Sequence, residues 1–88
     1  MIQIFIENGD GAHDLFASVM DLNTNPPASA LDNQRINRNS RTAVSVQDDG
    51  NGNCLINVHT ISVDDATAAK DFNNQATQAN GVIVVDVF

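Results

Sequence analysis

Two short stretches of this chain alternate apolar and other side chains with a period of two, and that pattern constrains the fold most. In IQIFIE (2–7), Ile2, Ile4 and Ile6 share one face, and Gln3, Phe5 and Glu7 the other. In TAVSVQ (42–47), Thr42, Val44 and Val46 oppose Ala43, Ser45 and Gln47. Successive side chains of a strand point to opposite faces, so both stretches are expected to be strands. CLINVHTISV (54–63) is β-branched and apolar, a third strand. VIVVDVF (82–88) is a continuous apolar run, expected to form a strand buried on both faces.

Between these strands the spacing predicts two helices. Asp10 is a good N-cap, and Ala12, Leu15, Phe16, Val19 and Met20 then fall at helical intervals. Asn and two prolines in NTNPP stop that helix near 22–24. A second helix is expected after Ser62, Asp64 and Asp65, with Ala66, Ala69, Phe72 and Ala76 on one side and Asn80-Gly81 ending it. Residues 25–40, NPPASALDNQRINRNS, lack a sustained period and read as a long loop spanning about 23–41, with a short turn of helix around 28–32. The order is β-α-β-β-α-β in one domain over 1–88. That is the α+β ferredoxin-like arrangement, a four-stranded antiparallel sheet with both helices on one face.

Helices would cover only one side of such a sheet. The other side would carry Phe5, Ala43, Ser45 and apolar residues of the last strand, less cleanly alternating than a solvated face should be. A second copy packed through that open sheet face is therefore expected, giving a homodimer.

Asp49-Gly50-Asn51-Gly52 also occurs inside calcium-binding EF-hand loops. Aligning it there puts Gln47 and Val58 where the loop needs an Asp and a bidentate Glu. Its flanks alternate as strands, so it reads as a hairpin turn between the second and third strands, not a metal site.

Eleven acidic residues against four basic ones give a net charge of −7, which disfavours binding to phosphate backbones. No apolar run reaches the length of a membrane span, and the N-terminus lacks a basic leader. The single Cys54 supplies neither a disulfide nor a metal-ligand pair and is expected to be a small buried hydrophobe. The expectation is a soluble cytoplasmic protein with no metal or cofactor.

The stretch IFIENGDGAHDLFASVM, with Gly11, Asp14, Leu15 and Phe16, resembles the opening of dimeric α+β barrel proteins of the antibiotic-biosynthesis-monooxygenase type. AVSVQDDGNGNCLINVHTISVDDATAAKDF is similar to their second half, with Phe72 at an aromatic or His position. The resemblance implies the ferredoxin-like fold, dimerisation, and a cavity for a small molecule or for cofactor-independent, oxygenase-like chemistry. The chain departs from that family in having no Trp or Tyr and in its long loop. NGDGAH is less similar to the amino-acid-binding turn of ACT domains, because it lacks Pro-Gly-x-Leu.

His59 is the leading catalytic candidate, since an imidazole titrating near neutrality suits general base work. Leu55, Asn57, His59 and Ile61 share a strand face, which makes Asn57 its natural companion. His13, on the first turn of the first helix, is expected to face solvent. Phe5 and the clustered Arg35, Arg38 and Arg41 are the candidate ligand-binding residues, the arginines for an anion or partner. The alternative is a non-enzymatic regulatory or inhibitory protein, such as a phage encodes, acting through its acidic surface.

Overall fold

The alternating stretches are strands, and so are both stretches expected to be helices. The structure, a computed structural model describing residues 1–88, contains seven strands and no helix. They are β1 (Ile2–Asn8), β2 (Leu15–Asp21), β3 (Ala28–Ile36), β4 (Arg41–Val46), β5 (Ile56–Ser62), β6 (Ala69–Gln75) and β7 (Val82–Val85). One sheet has the order β4-β1-β7, the other β3-β2-β5-β6. β1 runs antiparallel to β4 and parallel to β7. Every pairing in the four-stranded sheet is antiparallel.

The two sheets bury their apolar faces in one core. Ile4, Ile6, Val44, Val46, Ile83 and Val85 come from the three-stranded sheet; Leu15, Ala17, Val19, Ile36, Ile56 and Val58 from the four-stranded one. Cys54 and Val87 complete it. Each fully buried Val or Ile contributes about 1.5–3 kcal/mol, so this shared layer is what drives the sheets together.

The α+β ferredoxin-like fold, and with it the resemblance to dimeric α+β barrels and their oxygenase-like activity, is thereby overturned. The reason is that the segments expected to be helices fit both periods. LFASVMD fits a helical stripe through Leu15, Phe16, Val19 and Met20, but equally the strand face Leu15, Ala17, Val19 and Asp21, which is the buried one. Asp10 does what an N-cap does, accepting the amides of Ala12 (2.9 Å) and His13 (3.1 Å), yet its turn leads into a strand. Asp65 likewise accepts the Thr67 amide at 3.0 Å in a turn before β6. Residues 23–41, expected to be a loop, contain the nine-residue β3. That strand lies at a sheet edge and is mostly exposed, so its sequence is polar and aperiodic. In β7, Ile83 and Val85 point inward while Val84 is 57% exposed, so the run is not buried on both faces.

The face through which a dimer was expected, carrying Phe5, Ala43, Ser45 and the exposed Val84, is the outer side of the three-stranded sheet, away from the core. The apolar sides of β1 and β4 are covered by the second sheet, not by helices. The Asp-Gly-Asn-Gly turn changes meaning too. It is not a hairpin, because β4 and β5 belong to different sheets; the loop carries the chain from one layer to the other. Gly50 and Gly52 take positive φ of 91° and 82°, and Asp49 accepts the amides of Asn51 (2.8 Å) and Asn53 (3.2 Å).

Three buried polar residues tie the layers together. Asn8, at the end of β1, donates through Nδ2 to the carbonyls of Ile36 (3.1 Å), at the end of β3, and His13 (2.8 Å), and its Oδ1 accepts the Asp10 amide (2.9 Å). Asp21, at the end of β2, accepts the amide of Gln47, just past β4, at 2.7 Å. Thr60 of β5 donates to the carbonyl of Asp86, just past β7, at 2.7 Å. The bonds to Ile36, Gln47 and Asp86 each join one layer to the other. No buried side-chain polar atom lacks a partner.

Asn8→Ala strips a buried carbonyl and an amide of their partners and is expected to cost about 2–3 kcal/mol in urea unfolding. A loss below about 0.5 kcal/mol, the range of an ordinary surface substitution, would show that the cross-sheet bonds contribute little. Burial pushes the Cys54 thiol up, and its side chain is almost fully enclosed. Ellman's reagent is therefore expected to react with it only in denaturant; prompt reaction in native buffer would contradict the packing.

Candidate functional site

The solvent-facing side of the four-stranded sheet carries a groove, and each of its edge strands has a bulge. Opposite Ser18 of β2, the edge strand β3 is out of register, with Asn33 at φ 47°. Opposite Asn57 of β5, the other edge strand β6 is out of register, with Asn74 at φ 55°. Asn is among the few residues that tolerate this left-handed conformation. A central-strand side chain takes up the amide that each bulge frees. Ser18 Oγ accepts from Asn33 N at 3.0 Å, and Asn57 Oδ1 accepts from Asn74 N at 2.8 Å. Bulges bend and twist the strand that carries them.

The groove has a volume of about 520 Å³. Asn57 and His59 lie on its floor, so the structure brings the two expected catalytic residues together with a cavity. Ser18, Met20, Asp32 and Asp71 join them in its lining. His59 Nδ1 lies 2.7 Å from Asp71 Oδ1, a half-exposed pair. Because an ionised carboxylate only accepts, Nδ1 holds the proton in neutral His59 and Nε2 is free. The groove lining contains two carboxylates and no Lys or Arg.

Phe5 and the arginines are elsewhere. Arg35 and Arg38 converge on Asp14, through Nη2–Oδ2 at 3.0 Å and Nε–Oδ1 at 3.3 Å, and the Arg38 amide donates to the same carboxylate at 2.8 Å. Arg41 pairs with Glu7 at 2.7 Å and lies over the Phe5 ring, 5.6 Å from its centroid, on the outer face of the three-stranded sheet. All three guanidinium groups therefore face carboxylates of the chain itself. His13 also is engaged, against Asp10 at 3.0 Å and against the ring of Phe88, with centroids 4.3 Å apart.

Ser18, Asp32 and Asp71 were not legible as site residues, because their strands read as helix or loop. The signal was present in the alternation: on β2, Leu15, Ala17 and Val19 point inward, which sends Ser18 outward. Comparison with protein-family models, with curated proteins and with solved structures found no match. The functional reading therefore rests on the groove.

His59 and Asp71 are solvent-exposed and lie outside the core, so His59→Ala is expected to change stability by less than about 0.5 kcal/mol. A double-mutant cycle with Asp71→Asn should give a coupling of about 0.2–1 kcal/mol; a much larger value would mean the pair is structural. At Asp14, the Arg38 amide, then the Arg38 and Arg35 guanidinium groups, hold the carboxyl below its ordinary 3.8. The folded protein thus binds this proton less readily than the unfolded chain. The stabilisation is complete above about pH 4 and is lost as pH falls through the lowered value. Asp14→Asn should therefore be less stable than the parent at neutral pH, with the gap closing below about pH 4. A gap independent of pH would contradict the assignment.

Proposed function

We propose that this sandwich is a recognition module whose groove takes a small polar ligand bearing an amine or other cationic group. The observation that carries the reading is the juxtaposition, in one groove, of Asp32 and Asp71 with hydrogen-bonding groups and no Lys or Arg. Two carboxylates favour a cation and repel a carboxylate or phosphate, and the chain's net charge of −7 acts in the same direction. Asn57 is held by its oxygen, which leaves its Nδ2 hydrogens to donate into the groove. Met20, which is 40% exposed, and the half-buried Leu31 offer apolar surface beside the polar groups.

The test is titration of the isotope-labelled protein, followed by amide NMR shifts, with three probe sets: small amines, neutral polyols and carboxylates. Amines are expected to move the signals of Asn57, His59, Asp71 and Asn73, with affinity falling as salt rises. Asp71→Asn should weaken amine binding about tenfold, equivalent to about 1.4 kcal/mol. Shifts produced equally by carboxylates, or amine shifts confined to other surfaces, would sink the proposal.

A further inference from the structure

We infer that the same groove supports acyl transfer, with Ser18 as nucleophile, His59 as general base and Asp71 as the positioning carboxylate. The strand register sets the three in one row. Ser18 is directly opposite His59 across β2 and β5, and His59 is directly opposite Asp71 across β5 and β6. All three line the groove on the outer face. Directly opposed residues of antiparallel strands hold their Cβ atoms about 4.5–5.5 Å apart, close enough for a hydroxyl to reach an imidazole. The 2.7 Å bond to Asp71 engages Nδ1, on the side of the ring that faces β6. Nε2 is thereby the basic nitrogen, and β2 with Ser18 lies on the opposite flank of β5.

In the structure the Ser18 hydroxyl is turned to the other flank of β2, where Oγ accepts the Asn33 amide at 3.0 Å and its proton is directed to Asn33 Oδ1 at 3.4 Å. Attack therefore requires a change of the Ser18 χ1 rotamer, which gives up both bonds and turns Oγ toward His59. Asn57, two residues from His59 on the same face, presents the fixed Nδ2 hydrogens as the donor for a substrate carbonyl oxygen.

The reaction balances without a cofactor. Ser18 Oγ adds to the carbonyl carbon of an ester while its proton passes to His59 Nε2, and the oxyanion takes a hydrogen bond from Asn57. Collapse breaks the bond to the alcohol oxygen, which leaves with the proton from His59. Water then gives a proton to His59 as it attacks the acyl group, and Ser18 recovers that proton as the carboxylic acid departs. The sum is ester plus water giving acid plus alcohol. The substrate class is a small ester with neutral or cationic substituents, since Asp32 and Asp71 repel anions and expel the carboxylate product. This step goes beyond ligand recognition and does not require an amine.

The experiment exposes the full chain to a fluorophosphonate probe and follows intact mass and peptide mapping. A single adduct on Ser18 is expected, with loss of fluoride. His59→Ala should slow labelling by about 100-fold or more, the range of a lost general base. Asp71→Asn should slow it as well, with part of the rate restored in Asp71→Glu. These variants leave the bulge at Asn33 intact, and their amide spectra report that the fold is retained. No adduct on Ser18, or an equal rate in His59→Ala, overturns acyl transfer. Amine titration of the unlabelled protein is read separately, so either proposal can fail while the other stands.

Discussion

The structure depends on a small set of hydrogen bonds that cross between its two sheets inside the protein. Apolar burial drives the sheets together, but it has no direction and would tolerate sliding or rotation of one layer on the other. Asn8, Asp21 and Thr60 supply the missing direction, each joining a residue of one sheet to backbone belonging to or just beyond the other. Buried polar groups are costly when unpaired, so a slipped arrangement would expose several such costs at once. In a chain of 88 residues, with only a thin core, this end-to-end stitching is what makes one packing unique.

From that fixed frame the groove follows. With both apolar faces turned inward, the outer side of β2 and β5 is free to carry Ser18, Met20, Asn57 and His59. Two of these residues also shape the surface they lie on, since Ser18 and Asn57 each bind the amide of a bulge on a neighbouring edge strand. The bulges have a second effect: they interrupt the regular ladder on the edge strands β3 and β6, which discourages edge-to-edge pairing with other chains. Shape and chemistry thus share residues, and the groove's polarity is set by what the two edges contribute.

Legibility in the sequence divided along the line of pattern and burial. β1 and β4 were plain because apolar and other residues alternate in them, and β5 because it is β-branched and apolar; each has one buried face. β2 and β6 were not, because seven residues with Asp turns in front satisfy both periods, and Asp10 and Asp65 bind amides in a turn much as they would at a helix start. β3 left almost no trace, being an exposed edge in which only Ile36 is buried. The same misreading hid half the site. Asn57 and His59 were visible on β5, whereas Ser18 and Asp71 became neighbours of His59 only once their segments were strands paired with it. The clustered arginines drew attention by spacing alone, and folding disperses them onto Asp14 and Glu7.

The central claim is that residues 15–21 and 69–75 are strands flanking β5, which puts Ser18, His59 and Asp71 in one row. Backbone nuclear Overhauser effects test it most directly. The account predicts cross-strand contacts linking Ser18 with His59 and His59 with Asp71, and strong sequential Hα-to-amide contacts through both segments. Amide-to-amide contacts between successive residues, with Hα-to-amide contacts three residues apart over 15–21 or 69–75, would show helices there and contradict it.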